Sequence, residues 1–354
     1  MAAKAATAGF PRPGNPLKPV WHPDDRILSV PIIETWYKYR RRRRTVKDSN
    51  VTGAHLGMLL WALIVGASFP VVGLLSDGLP PLLLTAMRFA IAALAMLPMI
   101  WRAGPAVPNL QGILLYAAMG FCLAGFFGVM FWAAHRVSAL SMSALFVSMP
   151  LLAYGLGRVF GVEARAHRLL AILALGAVGG LALALAQSGG DLTTLQFGWG
   201  EVAFFLGCIA TALYPVLSKW GLARGILSPD AAVRTFWSLA VGGVLIALAG
   251  FVAEPFAALS RMRSGDVLLV AYLGVFSSGA TFWLMQRGTG ALTPGTVTAY
   301  SYLVPFVSML VLFVTRPDVI GWQWLPGSLL VITAIALLFR DAAGQPRTAP
   351  SPSL

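Results

Sequence analysis

Ten long apolar segments, each long enough to cross a lipid bilayer as a helix, constrain this chain more than any other feature. A bilayer core requires about 20 predominantly apolar residues per helix. Turn residues separate the segments, as in Asp77-Gly-Leu-Pro-Pro and Gln187-Ser-Gly-Gly-Asp191. The predicted spans cover residues 55–76, 81–101, 111–133, 138–158, 166–187, 200–219, 233–253, 266–285, 295–315 and 322–340.

The composition favours the same class of protein, because 58% of the residues are hydrophobic and only 11% are charged. Soluble domains carry about 25% charged residues, so this chain has too little polar surface for a water-exposed globule. The apolar segments do not alternate apolar and polar residues, as the strands of a membrane β-barrel would. Cys122 and Cys208 lie within apolar segments and indicate no disulfide framework. We therefore predict an all-α membrane protein with ten transmembrane helices.

The basic residues indicate how the chain is oriented. The net charge of +13 comes from Lys and Arg in the N-terminal tail and in the short loops that follow even-numbered spans. The excess keeps its sign when the tail is left out. Cytoplasmic loops carry such an excess, so we predict that both termini are cytoplasmic, in a bacterial-type inner (plasma) membrane. This distribution indicates orientation in a membrane and no nucleic-acid partner.

Residues 1–54 form a basic tail without the apolar core of a signal peptide. We predict a disordered cytoplasmic tail that holds the first span in orientation. The alternative is an interfacial segment over 21–39 whose basic run binds anionic lipid headgroups. Residues 341–354 are predicted to form a cytoplasmic C-terminal tail.

Comparison of the chain with itself reveals an internal repeat of five spans. Three pairs of motifs recur in the same order, which predicts repeats over 55–187 and 197–340, joined by a linker over 188–196. After five crossings the second repeat starts on the opposite side of the membrane, so the repeats are inverted, as in many transporters. The pairs are Ala67-Ser68-Phe69-Pro70 with Ala212-Leu213-Tyr214-Pro215, Phe131-Trp132-x-x-x-Arg136 with Phe282-Trp283-x-x-x-Arg287, and Ser143-Ala144 before Met149-Pro150 with Thr298-Ala299 before Val304-Pro305.

These motifs resemble the EamA-type family of the drug/metabolite transporter superfamily. The similarity runs through residues 61–70, 81–89 and 138–163, and in the second half through 200–214 and 273–305. The sequence departs from the family pattern after span 4, where Val162 interrupts a Gly-Glu pair. It departs again after span 9, where Thr315-Arg316-Pro317-Asp318 contains no such pair. The resemblance implies a ten-helix permease with a central pathway lined by spans 1, 3, 4, 6, 8 and 9.

The residues implied to line that pathway combine aromatic rings with a few polar groups, which suits a small amphipathic solute. The alternative for each is interhelical packing or an aromatic belt at the membrane surface, above all for the two tryptophans near helix ends. The candidates are Trp61, Phe69, Trp132, Ser143, Tyr214, Trp283, Thr298 and Tyr302.

Arg88 is the only charged residue that we place clearly inside a span. A charge at that depth is a functional hypothesis by default, here a counter-ion for a carboxylate or phosphate. The alternative is a structural arginine that extends its guanidinium to the nearer membrane surface.

Four prolines lie at matched depths in the two repeats. Proline removes a backbone donor and leaves a carbonyl free, which neighbouring helices or a water-filled cavity must satisfy. The prolines are interpreted either as kinks that shape packing or as hinges beside a central cavity. They are Pro70, Pro150, Pro215 and Pro305.

The sequence places no Asp or Glu at mid-span, and it places His55 before the first span. Ion-coupled carriers usually hold such a group at depth. We therefore expect facilitated diffusion, or antiport through a group that the sequence does not reveal.

The chain is predicted to be a transporter that exports a small metabolite, an amino acid or an amphipathic compound, by alternating access. A lipid flippase or a nucleotide-sugar carrier on the same fold is the alternative. An enzyme would need a nucleophile with a base, or a metal site, at depth, so we expect no enzyme, no cofactor and no metal. A channel would need rings of charged side chains or of backbone carbonyl groups along a pore, and the sequence shows no signature of them.

The expected partners are the bilayer and a small-molecule substrate. Gly176-x-x-x-Gly180 fits packing within the monomer better than a dimer face. The sequence therefore predicts no particular oligomeric state.

Overall fold

The structure is a computed structural model that describes the backbone of residues 30–103, 107–195 and 198–344, and the side chains of 51–101, 107–193, 195 and 198–341. It contains ten helices long and apolar enough to cross a membrane. These described residues include no β strand, which confirms the predicted fold class. The spans are α1 Val51–Val72, α2 Pro81–Trp101, α3 Leu110–Ala133, α4 Ala139–Val159, α5 His167–Gln187, α6 Trp199–Ala223, α7 Ala231–Ala253, α8 Ser264–Ala291, α9 Pro294–Thr315 and α10 Trp322–Asp341.

Two helices continue beyond their spans. The helix of α1 runs over Val30–Val72 and that of α2 over Pro81–Ala103. The α10 span opens with a 3-10 turn, Trp322–Trp324, and continues as Leu325–Gly344. Further 3-10 turns lie in loops, at Leu192–Thr194, Phe256–Arg261 and Pro317–Val319.

Three spans change their helical geometry partway. The α4 span consists of Ala139–Val147 and Met149–Val159, which meet at Ser148. The α8 span passes from Ser264–Tyr272 through a π-helix, Leu273–Ala280, into Thr281–Ala291. The α9 span passes from Pro294–Ala299 through a 3-10 turn, Tyr300–Tyr302, into Leu303–Thr315.

Side-chain caps set where several helices begin. Asn109 and Ser138 accept hydrogen bonds from the backbone N–H groups of Gly112 and Ser141, and so start α3 and α4. Asp230 does the same for the first turn of α7. Each cap satisfies donors that the first turn of a helix leaves free.

Most predicted spans agree with the observed ones to within two residues, but α1, α6 and α8 differ by more. The α1 span covers Val51–Val72 instead of 55–76, α6 continues past residue 219 to Ala223, and α8 continues past residue 285 to Ala291. The α8 extension looks polar in sequence, yet the hydroxyl of Thr289 donates to the carbonyl of Met285 inside the helix. Polar side chains that bond to their own helix do not end it.

The chain divides into two compact units, Met1–Asp48 and Ser49–Leu354, and the sections below concern the second. Residues 1–29 lie outside the described residues, including the first part, 21–29, of the interfacial segment proposed for 21–39. The backbone is helical from Val30 onward. The predicted domain boundaries, with a tail over 1–54 and repeats over 55–187 and 197–340, stay predictions.

Two large clusters of buried apolar side chains form the core. One joins α1, α5, α9 and α10, and the other joins α2, α3, α6 and α7. The Gly176-x-x-x-Gly180 pair lies against the first cluster, where a Cβ atom at either glycine would meet the ring of Tyr302. The glycines therefore pack within the monomer, as predicted.

Contacts between loops show which helix ends lie together. Asp266 accepts hydrogen bonds from Ser76, and Glu254 accepts them from Leu82, so the loops after α1 and α7 share one side. Glu163 accepts a hydrogen bond from Gly295, so the loops after α4 and α8 share the other. We call these the odd side and the even side, after the helices that precede the loops.

Candidate substrate pathway

Tyr214 of α6 belongs to a buried polar network near the even side. Gln286 Nε2 donates a hydrogen bond to the Tyr214 hydroxyl at 2.7 Å, and that hydroxyl lies 2.9 Å from Ser238 Oγ. Ser218 Oγ donates to Gln286 Oε1 at 2.6 Å. The tyrosine is 1% exposed, so its polar tip joins α6, α7 and α8 in this structure.

Arg234 anchors the same network and corrects the prediction that Arg88 is the only charge inside a span. Its Nε donates to Gln286 Oε1 at 3.0 Å, its Nη2 to the Gln286 carbonyl at 2.7 Å, and its Nη1 to the Ser228 carbonyl at 2.6 Å. The side chain is 1% exposed. The prediction was wrong because α7 begins at Ala231 and places Arg234 one turn inside it. The capping sequence Ser228-Pro229-Asp230 is the signal that could have located this start.

Arg88 belongs to α2, and its side chain contacts the π-helix of α8. Its Nη2 donates to Ser277 Oγ at 3.2 Å, and its buried Nε has no hydrogen-bond partner among the described residues. Ser278, the next residue of the π-helix, also has a buried hydroxyl without a partner in that part of the chain. This guanidinium has much of its donor capacity free, unlike that of Arg234.

Trp132 and Trp283 occupy equivalent positions and carry the same local contact. The guanidinium of Arg136 lies 4.5 Å from the ring centre of Trp132, and that of Arg287 lies 5.6 Å from the ring centre of Trp283. An arginine over an indole face is a stabilising cation–π pair. The repeated Phe-Trp-x-x-x-Arg motif therefore stabilises the ends of α3 and α8, which favours a local role for these tryptophans.

Trp61, Thr298 and Tyr302 are buried where α1 and α9 pack together. The hydroxyl of Thr298 donates to the carbonyl of Pro294, in its own helix. The ring of Tyr302 packs on α5, and its buried hydroxyl has no partner among the described residues. Ser143 of α4 is partly exposed.

The prolines fall into two pairs. Pro70 and Pro215 lie inside the continuous helices of α1 and α6. Pro150 begins the second segment of α4, and Pro305 lies at the start of the last segment of α9. The second pair thus marks matched interruptions of two helices, and its role as hinges stays a prediction.

Matched positions of the two repeats have different environments. Phe69 of α1 is 58% exposed, whereas its equivalent in α6, Tyr214, is buried. Ser143 of α4 is partly exposed, whereas its equivalent in α9, Thr298, is 2% exposed. The even-side part of the structure is therefore packed more tightly at these positions than the odd-side part.

Packing between α4 and α9 shows the same asymmetry. On the even side, Pro294–Ala299 packs against Met149–Val159. The equivalent segments on the odd side, Ala139–Val147 and Leu303–Thr315, are in marginal contact at most. The two halves of this helix pair are thus closed at one end and separated at the other.

His55 corrects a further prediction. It lies inside α1, one turn from its start, and is 2% exposed. Its Nδ1 lies 2.6 Å from the hydroxyl of Tyr300, and its ring packs near Phe339. The sequence placed His55 before the span because the polar residues around it resemble a loop.

Within the described residues, no group of three or more His, Cys, Asp or Glu side chains could hold a metal ion.

Comparison with curated proteins finds several transporters. The uncharacterized inner membrane transporter YedA of Escherichia coli (strain K12) is 27% identical over 255 residues, 70% of this chain and 78% of YedA. The uncharacterized transporter YcxC of Bacillus subtilis (strain 168) is 24% identical over 80% of this chain and 92% of its own. A protein of Streptantibioticus cattleyicolor named "Probable terminal-alkyne amino-acid exporter" is 25% identical over 84% of this chain and 98% of its own.

A solved crystal structure shares the fold. It superposes with a TM-score of 0.67 and 21% sequence identity, covering 81% of this chain and 98% of the other. The model of the EamA-like transporter family matches twice, at residues 52–186 and 198–340. Members of that family are membrane transporters. With ten membrane-spanning helices and two matches that cover most of its length, this chain belongs to the EamA-like transporter family.

Proposed function

We propose that this transporter moves a small metabolite across the membrane by alternating access. The observation that carries the proposal is the different environment of matched residues, above all exposed Phe69 and buried Tyr214. Inverted repeats that exchange their conformations give two states, open to opposite sides. The arrangement described here corresponds to the state closed at the even side.

The repeats over 55–187 and 197–340 are the units that we propose to exchange conformations. The two matches of the family model, at 52–186 and 198–340, support this division. We propose Pro150 and Pro305 as the hinges because both lie at interruptions of their helices. A helix that is already interrupted can bend there with little further loss of backbone hydrogen bonds.

We propose that the even side is cytoplasmic, so that both termini are cytoplasmic. Lys and Arg are more frequent in the loops after even-numbered helices than in those after odd-numbered ones. Lys219 and Arg234 belong to helix ends on the even side, and even-side loops keep further basic residues such as Arg165 and Arg224.

The substrate class that we propose is an amino acid or a related amphipathic compound, moved outward. Arg88 supports it, because a guanidinium with free donors inside a membrane protein is suited to a carboxylate. Phe69 of α1, whose ring is exposed, supplies apolar surface for the rest of the solute. The relative from Streptantibioticus cattleyicolor, named as an amino-acid exporter, supports both the class and the direction.

Counterflow in proteoliposomes tests this function. Liposomes are preloaded with unlabelled amino acids or aromatic metabolites, labelled solute is added outside, and no ion gradient is imposed. Transient accumulation of label above equilibrium identifies a carrier and its substrate class. Protein-free liposomes and an Arg88→Ala variant of normal abundance serve as controls. Counterflow of lipids or nucleotide sugars, with none for amino acids, would instead favour the alternative cargo.

A further inference from the structure

Glu163 connects the two repeats at the even side. It follows α4, and its Oε2 accepts a hydrogen bond from the backbone N–H of Gly295 at 2.9 Å. Gly295 lies in the first turn of α9, next to Pro294. The glutamate is 5% exposed, although it belongs to a loop. A carboxylate from one repeat thus caps a helix of the other.

Lys219 of α6 binds the end of α8, the helix that precedes α9. Its Nζ donates hydrogen bonds to the carbonyls of Thr289 and Gly290, at 3.0 and 3.2 Å, near the end of α8. An anion at the start of a helix and a cation at the end of one each oppose the partial charge that the helix places there. The short connection between α8 and α9 is therefore held by opposite charges at its two ends.

The local structure holds Glu163 in position. The N–H groups of Val162 and Glu163 both donate to the carbonyl of Gly157, through a turn in which Gly161 has a φ of 70°. Arg158 donates to the carbonyl of Glu163 at 3.2 Å. This turn contains the extra residue that separates glycine from glutamate, and it directs the side chain at α9.

The space around the contact is filled. A Cβ atom at Gly295 would lie 3.2 Å from Glu163 Oε2 and 3.3 Å from Tyr154 Cβ. A Cβ atom at Gly157 would lie 2.9 Å from Glu163 Cβ. Glycine at these two positions lets the carboxylate approach the start of α9 closely.

The odd side has a different arrangement at the equivalent place. The loop after α9 carries Arg316 and Asp318, which pair with each other at 3.2 Å and are both exposed. The start of α4 is capped by its own Ser138. Among the described residues, the loop after α4 thus makes a contact across the repeats that the equivalent loop after α9 does not make.

We propose that the hydrogen bond between Glu163 and Gly295 is a latch that keeps the even side closed and must break before that side opens. This latch depends on the alternating access proposed above, because it assigns the energy barrier between the two states to one specific contact. Opening at the even side separates Pro294–Ala299 from Met149–Val159, and Glu163 spans that boundary. Breaking this contact adds to the free energy needed to open the even side between α4 and α9, and the described loop after α9 makes no equivalent contact at the odd end of this helix pair.

Cysteine accessibility tests the latch directly. Cys122 and Cys208 are replaced by Ala, and a Thr298→Cys substitution, at a position buried beneath the latch, supplies a reporter thiol. Full-length protein in liposomes is labelled with a membrane-impermeant maleimide. Ala223→Cys, exposed at the even end of α6, identifies in parallel the liposomes whose even side faces the reagent.

In this background, Glu163→Ala should raise the labelling rate of the reporter thiol from the even side by about tenfold, the effect expected when a hydrogen bond to a charged group is lost. Glu163→Gln keeps an oxygen acceptor for Gly295 and should stay within about twofold of the parent. Glu254→Ala is the matched control, because Glu254 caps α2 at the odd side with the same chemistry. It should leave the reporter protected from the even side.

Equal labelling in Glu163→Ala and Glu163→Gln would overturn the latch. If Glu163→Ala does not fold, Gly295→Ala displaces the carboxylate sterically and should also raise labelling, and protection in that variant would count against the proposal. Counterflow separates the two proposals when it is measured on proteins that retain Thr298, because Thr298 is itself a candidate for the substrate pathway. Reporter exposure in Glu163→Ala without counterflow by the protein that retains Thr298 would support the latch and reject the proposed transport, whereas counterflow with a protected reporter in every variant would do the reverse.

Discussion

The hydroxyl of Ser308 in α9 donates a hydrogen bond of 3.0 Å to the carbonyl oxygen of Gly66 in α1. Gly66 lies four residues before Pro70, so its carbonyl faces a proline nitrogen that has no proton to donate. Ser308 satisfies this carbonyl from the neighbouring helix. The part of α1 around Pro70 is thus tied to α9, which carries Pro305, another of the four matched prolines.

Removing this hydroxyl should destabilise the protein only while Pro70 is present. Ser308→Ala leaves a buried carbonyl without a partner, at a cost of about 1–3 kcal/mol. In a Pro70→Ala background the restored N–H of residue 70 can bond to Gly66, so the same change should cost much less. Thermal unfolding of the four proteins in detergent measures this double-mutant cycle, and additive effects would show that the two residues are not coupled.

Gly66→Ala should also be destabilising, for a steric reason. A Cβ atom at this position would lie 2.6 Å from Val307 Cβ, and overpacking of this kind costs about 1–3 kcal/mol. Gly125→Ala in α3 is the matched control, because nothing lies within 4 Å of its added Cβ. The unfolding temperature should fall in Gly66→Ala and should stay the same or rise in Gly125→Ala. Equal changes in the two variants would reject the close approach of α1 and α9.

The two intramembrane arginines should respond differently to replacement by methionine. Arg234→Met removes three hydrogen bonds within 3.0 Å and should lower stability by at least about 2 kcal/mol. Arg88→Met removes one hydrogen bond of 3.2 Å and should leave stability closer to the parent while weakening the uptake of carboxylate solutes. Unfolding and counterflow on both variants test this contrast. A well-folded Arg234→Met protein, or an Arg88→Met protein with normal affinity, would contradict it.

Stability should depend on pH through Glu163. Burial raises the pKa of its carboxyl above the ordinary 4.5, although the N–H of Gly295, the hydroxyl of Thr293 and the charges of Lys219 and Arg158 lower it. The folded protein then binds this proton more tightly than the unfolded chain does. The resulting stabilisation is fully present below pH 4.5 and is lost as the pH rises through the raised pKa.

Glu163→Gln removes that titration, so the variant should gain stability relative to the parent as the pH rises from about 4.5 to about 8. Unfolding temperatures of both proteins across this range provide the measurement. Asp318→Asn is the control, because the hydrogen bond from Arg316 lowers the pKa of Asp318 below its ordinary 3.8, so this carboxyl titrates below the range measured. That variant should keep a constant stability difference from the parent across the range, and a Glu163→Gln curve parallel to the parent's would refute the burial effect.

Pro305→Ala should reduce the rate of counterflow more than it reduces the amount of inserted protein. The substitution allows the last segment of α9 to form a more continuous helix, which makes bending at Tyr300–Tyr302 harder. Pro98→Ala in α2 is the comparison, since Pro98 is a proline of α2 outside the matched set. Unchanged transport in Pro305→Ala would argue for a simple kink.

Local sequence patterns predicted most of the fold. Hydropathy located all ten spans, because a bilayer imposes nearly the same length of apolar residues on each helix. The paired motifs Phe69-Pro70 and Tyr214-Pro215 predicted a duplication, and the family model matches the chain twice. The errors, at His55 and Arg234, came from helix ends, where polar residues inside a helix resemble those of a loop.

The sequence by itself thus determined the class of protein, the number of helices and the family, because each depends on residues close together in the chain or on motifs repeated along it. Only the tertiary structure decided which polar groups meet. Ser308 and Gly66 are 242 residues apart, Glu163 and Gly295 are 132 apart, and Arg234 and Gln286 are 52 apart. Such contacts depend on how each helix is rotated and how closely it approaches its neighbours, and hydropathy carries no information about either.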